Sequence, residues 1–279
     1  MSDVEKQVQD CYSTWGETYY DEYYGEGAPY PPVHARLLRQ MVAESGARTL
    51  LDAGCGPASF LRDVDDPDLT LYGFDLTVEM VDEARRVLGD RARIWQGSVL
   101  DAAAFRGPDA PAEGYDAAVC IGVLPHVPAE ADEVVVANLR DAVRPGGTVI
   151  VEARNQLFAL FTLNRPTYEL FRDVLMPGRG DEELAPLQER LRMDLPPVCG
   201  GKADEPGYDE VLSRTHNPFE LRAQMEAAGF RDVRVRFYHF HDVPPQLGPS
   251  IERSLALEDP DDWRGHFMAS AFLVSGIRA

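Results

Sequence analysis

Apolar positions first take up a helical rhythm over residues 33–44, where Leu37, Leu38, Met41 and Val42 recur at helical spacing and Gly46 stands where the helix would end. The pattern then changes to short apolar runs. Thr49–Ala53 reads as a strand broken by Gly54-Cys55-Gly56, residues 69–74 as a second strand ending at Asp75, and Val78–Leu88 as the helix after it. Residues 93–96 predict a third strand and 115–123 a fourth, buried one. A helix over 130–143 is closed by Arg144-Pro145-Gly146-Gly147, and 148–153 is a fifth strand. Strands alternating with helices at these intervals predict an α/β fold: a mostly parallel sheet with helices on both faces.

After Arg154 about 60 residues pass before the next α/β unit, where a connection usually takes ~2 to 6, so an insertion is expected at about 155–213. Its first part, 156–175, spaces Leu157, Phe158, Leu160, Phe161, Tyr168, Leu170, Phe171 and Val174 in helical fashion; 177–206 is a looser stretch of Gly, Pro and charge. A decoration on the sheet edge and a lid over a pocket both fit, since long insertions at the carboxyl ends of parallel strands lie where such folds bind ligands. Asn217-Pro218 is an N-cap followed by proline at the first helical position, and predicts a helix running to Gly229. Residues 233–240 and 267–277 complete the pattern as two further strands.

Ahead of the first core helix lies an aromatic segment, residues 1–32, with Trp15 and six of the eleven tyrosines: Tyr12, Tyr19, Tyr20, Tyr23, Tyr24 and Tyr30. It reads either as a helix packed on the outside of the domain or as an arm covering a ligand. The remaining chain, 33–279, reads as one domain.

Charge and cysteine content narrow the function. With 47 acidic against 27 basic side chains the formal charge is −20, which argues against a nucleic-acid partner. No apolar run approaches the ~18 residues of a membrane span and Met1-Ser-Asp-Val-Glu lacks the pattern of a signal peptide, so a cytoplasmic protein is expected. Cys11, Cys55, Cys120 and Cys199 are far apart, with no C-x-x-C, and support neither a disulfide framework nor a metal site.

The chemistry concentrates in the first half. Gly54 and Gly56 let the backbone turn sharply and leave no side chain between it and a ligand. Asp75 ends the second strand nineteen residues after Gly56, where a carboxylate can accept both hydroxyls of an adenosine ribose. A dinucleotide fingerprint would need glycine at Ser59 and does not call for Asp52. A carboxylate at the turn suits the ammonium and sulfonium of S-adenosylmethionine and would repel a pyrophosphate.

Here the sequence resembles the class I S-adenosylmethionine-dependent methyltransferases, from about Tyr12 to the C-terminus. Asp52, Gly54 and Gly56 match the family's first motif, and Asp75 looks like its ribose-binding acid. The resemblance implies a Rossmann-like seven-stranded sheet with an antiparallel last strand. It also implies S-adenosyl-L-methionine as cofactor, with S-adenosyl-L-homocysteine as product, and a site in which Leu76, Met80, Ser98, Val99 and Ile121 join the motif residues. The third motif is usually Gly-Asp, where this chain has Gly97-Ser98-Val99. Asp116 resembles the fourth motif, with residues 121–126 at the strand's end facing cofactor and acceptor. Tyr12 and Tyr20-Asp21 resemble the family's N-terminal arm, with Tyr20 assigned to the cofactor and Tyr12 to the acceptor.

His126 follows the fourth strand and is the first candidate for a general base; capping or packing beside Pro125 and Pro128 is the other reading. His34 is expected near the cofactor's methionine end. His216 lies close to the insertion's end, where starting the next helix is the simpler role. His239 and His241 alternate along the sixth strand and so are expected to point to one face, without the third ligand a metal would need. Asn155, Arg165, Tyr168 and His216 are candidates for the acceptor; Arg165, Tyr168 and Arg172 share one helical face, though a solvated face fits as well. The expected function is methyl transfer by in-line displacement to the oxygen or nitrogen of a small molecule, a sugar or an intermediate of specialised metabolism, with a homodimer as an open option. A methyltransferase fold that uses its cofactor without methyl transfer, a nicotinamide-dependent oxidoreductase and a non-catalytic binding subunit remain as alternatives.

Overall fold

The computed structural model describes residues 2–14, 18–23, 33–191, 211–244, 247 and 259–279. Trp15, Tyr24, Tyr30, Cys199 and the later insertion, 192–210, lie outside the described residues.

Two helices precede the core. The first, α1 (Asp3–Ser13), opens with a capping box in which Ser2 accepts from the Glu5 N–H and the Glu5 carboxylate accepts from the Ser2 N–H; α2 is the short Tyr19–Tyr23. Then come α3 (Val33–Ser45), β1 (Thr49–Ala53), β2 (Thr70–Asp75), α4 (Val78–Leu88), β3 (Ala92–Gln96), β4 (Tyr115–Cys120), α5 (Asp132–Ala142) and β5 (Val143–Arg154). The insertion supplies α6 (Ala159–Thr162), α7 (Arg165–Leu170), a π turn at Phe171–Leu175 and α8 (Asp181–Arg190). The chain returns through α9 (Pro218–Ala227), β6 (Phe230–Phe240), α10 (Gly265–Met268) and β7 (Ala269–Arg278).

The seven strands form one sheet in the order β3-β2-β1-β4-β5-β7-β6. Pairing is parallel from β3 to β5, and β7 runs antiparallel to both β5 and β6. This is the expected doubly covered sheet with an antiparallel last strand. The central strands are apolar at nearly every position because both faces are covered, and successive side chains supply opposite cores. Leu51, Ala118, Val149 and Val151 meet Val135, Val136 and Leu139 of α5 and Leu221 and Met225 of α9. Leu50, Ala117, Val119 and Ile150 meet Leu38, Met41 and Val42 of α3 and Val81, Ala84 and Leu88 of α4.

Two boundaries depart from the sequence reading. The stretch Arg144-Pro145-Gly146-Gly147 belongs to β5, because Val143 already pairs with Tyr115 before a register shift restores Ala117 opposite Thr148. The run at 156–175 is four short helical pieces: a 3-10 turn at Gln156–Phe158, α6, α7 and the π turn. Leu163 is in the left-handed region, and Asn164 restarts the helix with a capping box to Thr167.

Asp116 has its place here rather than in the site. At the start of β4 its Oδ2 accepts from the Arg48 N–H (2.9 Å) and the Thr49 N–H (3.0 Å), and its Oδ1 from Arg144 (2.6 Å). It ties β1, β4 and β5 together at the end of the sheet away from the glycine turn.

Candidate functional site

The carboxyl ends of β1, β2 and β4 open into a cavity of about 1070 Å³, including the part that meets solvent. Its base is the glycine turn. The N–H groups of Gly54 and Cys55 both reach the Phe74 carbonyl, at 2.8 and 2.9 Å, locking the turn onto β2. Gly54 has φ +83°, and a Cβ there would stand 2.3 Å from Val123 Cγ2. Gly56 has φ +54°, and a Cβ there would meet no atom within 4 Å. The first glycine is thus required by the protein's own packing, whereas the second faces space into which a ligand fits.

Two carboxylates frame the turn. Asp75 accepts from the Gly56 N–H through Oδ2 and from the Thr77 N–H through Oδ1, each at 2.9 Å. Burial raises its pKa, and these backbone bonds act against the rise. Asp52 is 2% exposed, and its Oδ1 has no hydrogen-bond partner. Burial, and then the neighbouring charge of Asp75, push its pKa up to about 8. A buried carboxyl oxygen without a donor at the edge of a cavity suits a cationic ligand, which would satisfy it and favour its charged form. Asp75 keeps spare lone pairs for hydroxyl donors. The residues present therefore fit S-adenosylmethionine, with Asp52 toward its ammonium group, Asp75 toward its ribose and the Gly54–Gly56 backbone beneath it.

Of the residues the sequence assigns to the cofactor, Asp52, Gly54, Gly56, Asp75, Leu76, Met80, Ser98, Val99 and Ile121 all line the cavity. Tyr20 is not among its lining residues: the Arg62 guanidinium stands 3.5 Å from its ring centroid, and Tyr19 lines the cavity instead. The residues missed on α1 are Val4, Glu5 and Val8, whereas Tyr12, assigned to the acceptor, does line the cavity. Val4, Glu5, Val8 and Tyr12, one face of that helix, form a wall of the cavity, and Ser98 Oγ donates to Glu5 Oε1 at 2.5 Å. The signal was available in Ser2-x-x-Glu5 followed by apolar or aromatic residues at positions 4, 8 and 12.

His126 and His34 also line the cavity. The Tyr12 hydroxyl lies 2.9 Å from His126 Nε2, and His126 Nδ1 lies 2.7 Å from the Leu212 carbonyl. A carbonyl only accepts, so Nδ1 carries the proton and, in the neutral ring, Nε2 accepts from Tyr12. Burial lowers the pKa of His126; Arg154 acts in the same sense, while the Leu212 bond and Glu152 oppose it. His34, its pKa also lowered by burial, packs against Tyr238 and His239 at ring-centroid distances of 5.6 and 6.3 Å.

The other acceptor candidates are placed elsewhere. Asn155 is buried and spends its Nδ2 on the carbonyls of Gly265, His266 and Ala269 and its Oδ1 on the Leu157 N–H, a joint within the fold. Arg165 is exposed and pairs with Glu169, and Tyr168 is buried beneath Arg172, which is itself bonded to Asp173. His216 is buried with Nε2 3.3 Å from Asp132. Among the described residues the insertion contributes nothing to the cavity lining. His239 and His241 do not share a face: His239 has φ +54° and faces His34, whereas His241 lies 4.6 Å from the Phe158 ring. Cys11, Cys55 and Cys120 are buried free thiols, and no group of three metal-ligating side chains occurs among the described residues. Nor, among them, is any helix long and apolar enough to cross a membrane.

Residues 51–149 match a family model described as a methyltransferase domain. No curated protein sequence matches the chain. Among solved structures it is similar to the magnesium protoporphyrin IX methyltransferase of Synechocystis PCC 6803 with bound S-adenosylhomocysteine. That match has 16% identity and a TM-score of 0.57 over 99% of this chain and 100% of the other. It is also similar to a possible histamine N-methyltransferase of Thermotoga maritima, with 13% identity and a TM-score of 0.51 over 98% of this chain and 100% of the other. A third neighbour is a methyltransferase of Archaeoglobus fulgidus that depends on S-adenosylmethionine, with 15% identity and a TM-score of 0.50 over 88% and 93%. With its glycine turn and paired carboxylates in place, the chain carries at residues 51–149 a segment that matches a methyltransferase domain, set in the same fold as these solved structures.

Proposed function

We propose that the protein methylates an oxygen or nitrogen of a small-molecule acceptor, which binds between α1 and residues 121–128, and that His126 takes the proton released. When bound, the cofactor supplies a methyl group on a sulfonium, which an attacking lone pair displaces in line. Asp52, the Gly54–Gly56 turn and Asp75 hold and orient the cofactor. Ile121, Val123 and Val127, with Val4 and Val8 of α1, exclude water from the reacting centre. As the acceptor oxygen or nitrogen takes up the methyl group, its proton would pass to His126 Nε2. An acceptor hydroxyl or amine would take the place of the Tyr12 hydroxyl at that nitrogen.

The observation that carries this reading is the arrangement of His126: Nδ1 tied to the Leu212 carbonyl and Nε2 facing a hydroxyl at the cavity wall. The net charge of −20 favours a compact acceptor over nucleic acid, and a cytoplasmic location accompanies this reading. Residues 1–32 are read as an arm and 33–279 as the catalytic domain. The test is a screen of pooled small molecules for a mass gain of one methyl group, followed by His126→Asn on the acceptor found. The expected result is turnover reduced by about 10²–10⁴ with S-adenosylhomocysteine affinity unchanged. Full turnover in His126→Asn across the pH range would refute the role given to His126.

A further inference from the structure

Beside the cavity, and outside its lining, lies a buried charged cluster that the reaction scheme does not use. Asp132, in the first turn of α5, has a side chain only 5% exposed, and Arg214, on the segment that returns from the insertion, one 20% exposed. Arg214 Nη1 donates to Asp132 Oδ1 at 3.0 Å and Nη2 to Oδ2 at 2.9 Å, a fork on a carboxylate. The same Nη1 reaches the Val127 carbonyl at 2.6 Å, and the Arg214 N–H reaches the Pro125 carbonyl at 2.9 Å. His216 lies against the same carboxylate, and its backbone N–H and carbonyl bond the Arg154 carbonyl and the Gln156 N–H, at 2.7 and 2.9 Å. Burial works against the charge of Asp132, but the close approach of His216 and the bonds from Arg214 hold its pKa below the ordinary carboxylate value.

These contacts join two segments distant in sequence, 125–132 and 211–217. His126 stands in the first, and Leu212, whose carbonyl accepts the hydrogen bond from Nδ1–H, in the second. We infer that Arg214 is a positioning residue for the proton-accepting histidine. Clamped on Asp132 and on the carbonyls of Pro125 and Val127, it holds the return segment so that the Leu212 carbonyl keeps the His126 proton on Nδ1 and leaves Nε2 to face the cavity. An imidazole with a free choice of tautomer would present the wrong nitrogen for part of the time, so a fixed outer partner has a chemical consequence. The other groups that act on His126 are Tyr12 of α1 and Glu152 and Arg154 of β5; Arg154 also bonds Ser213 on the return segment.

This inference rests on the role proposed for His126, and its test reads the imidazole directly. Nitrogen NMR of the histidine-labelled chain saturated with S-adenosylhomocysteine, with His126 assigned through His126→Asn, reports tautomer and pKa for the wild type, Arg214→Met and Arg214→Lys. The wild type should hold the Nδ1–H tautomer. In Arg214→Met its preference should fall by about tenfold, the equivalent of one lost hydrogen bond, and the pKa should move. Arg214→Lys, which keeps the charge but loses the fork, should lie between, and S-adenosylhomocysteine affinity should stay within about twofold in both. If Arg214→Met does not fold, Arg214→Lys and Asp132→Asn carry the test. An unchanged tautomer and pKa in the variants that fold would overturn the clamp. A shifted tautomer together with full turnover in His126→Asn would leave the clamp standing and remove the base.

Discussion

Replacing Asp52 by asparagine should flatten the pH dependence of stability in the cofactor-free protein. Asp52 is 2% exposed and its pKa is pushed up to about 8, whereas an unfolded aspartate titrates near ~3.9. The folded chain therefore holds a proton the unfolded chain has lost. That contribution to stability is fully present below about pH 4 and is lost as pH rises toward 8. Each unit of the window is worth about 1.36 kcal/mol, so between pH 5 and pH 8 Asp52 accounts for a loss on the order of 3–4 kcal/mol. The amide of the variant would be neutral throughout. Urea unfolding at pH 5, 6, 7 and 8 should give a wild-type stability that falls relative to Asp52→Asn by that amount. Parallel curves for the two proteins would refute the burial argument. Since a cationic ligand favours the charged carboxylate, S-adenosylhomocysteine should release close to one proton from the wild type at pH 7 and none from the variant, read by calorimetry in buffers of different ionisation enthalpy.

Other substitutions separate the parts of the site. Gly54→Ala places a methyl against Val123 at a positive φ and should lower the unfolding free energy by about 1–3 kcal/mol. Gly56→Ala meets no protein atom but still places a side chain at φ +54°, so it should cost about 1 kcal/mol of stability from backbone strain and, beyond that, lose cofactor affinity; thermal melts with and without S-adenosylhomocysteine distinguish the two. Asn155→Ala leaves the carbonyls of Gly265, His266 and Ala269 without their donor and should cost about 1–3 kcal/mol of stability with no change in acceptor KM. A KM effect without destabilisation would return Asn155 to acceptor binding.

The first half of the fold was readable because its signals are local. Thr49–Ala53 and Val78–Leu88 have the bounds read from the sequence, since a glycine turn or a loop ends each apolar run. That Asp52, Gly54, Gly56 and Asp75 would stand together was readable for the same reason: a strand, its turn and the end of the neighbouring strand bring them to one cavity through short-range geometry that their spacing fixes. Roles set by distant partners were not readable. Asn155 looks like a polar residue at a pocket rim until its amide meets three carbonyls more than a hundred positions away, and His216 gives no sign of Asp132. Tyr19 and Tyr20 are adjacent on a short helix, and only packing decides which faces the cavity and which lies under Arg62. α1 is legible from the capping box of Ser2 and Glu5, but a cap does not say which face of its helix meets the cavity.

Calorimetric titration of the wild-type chain and Asp75→Ala with S-adenosylmethionine and S-adenosylhomocysteine tests most directly the claim that this cavity is the cofactor site. Asp75 anchors the Gly56 N–H and, in the proposed site, would offer its remaining lone pairs to the ribose. Both ligands should therefore bind the wild type, and Asp75→Ala should weaken them by about 1–3 kcal/mol. Absence of binding to the wild type, or equal affinity in the two proteins, would contradict the assignment of Asp52, Gly54, Gly56 and Asp75.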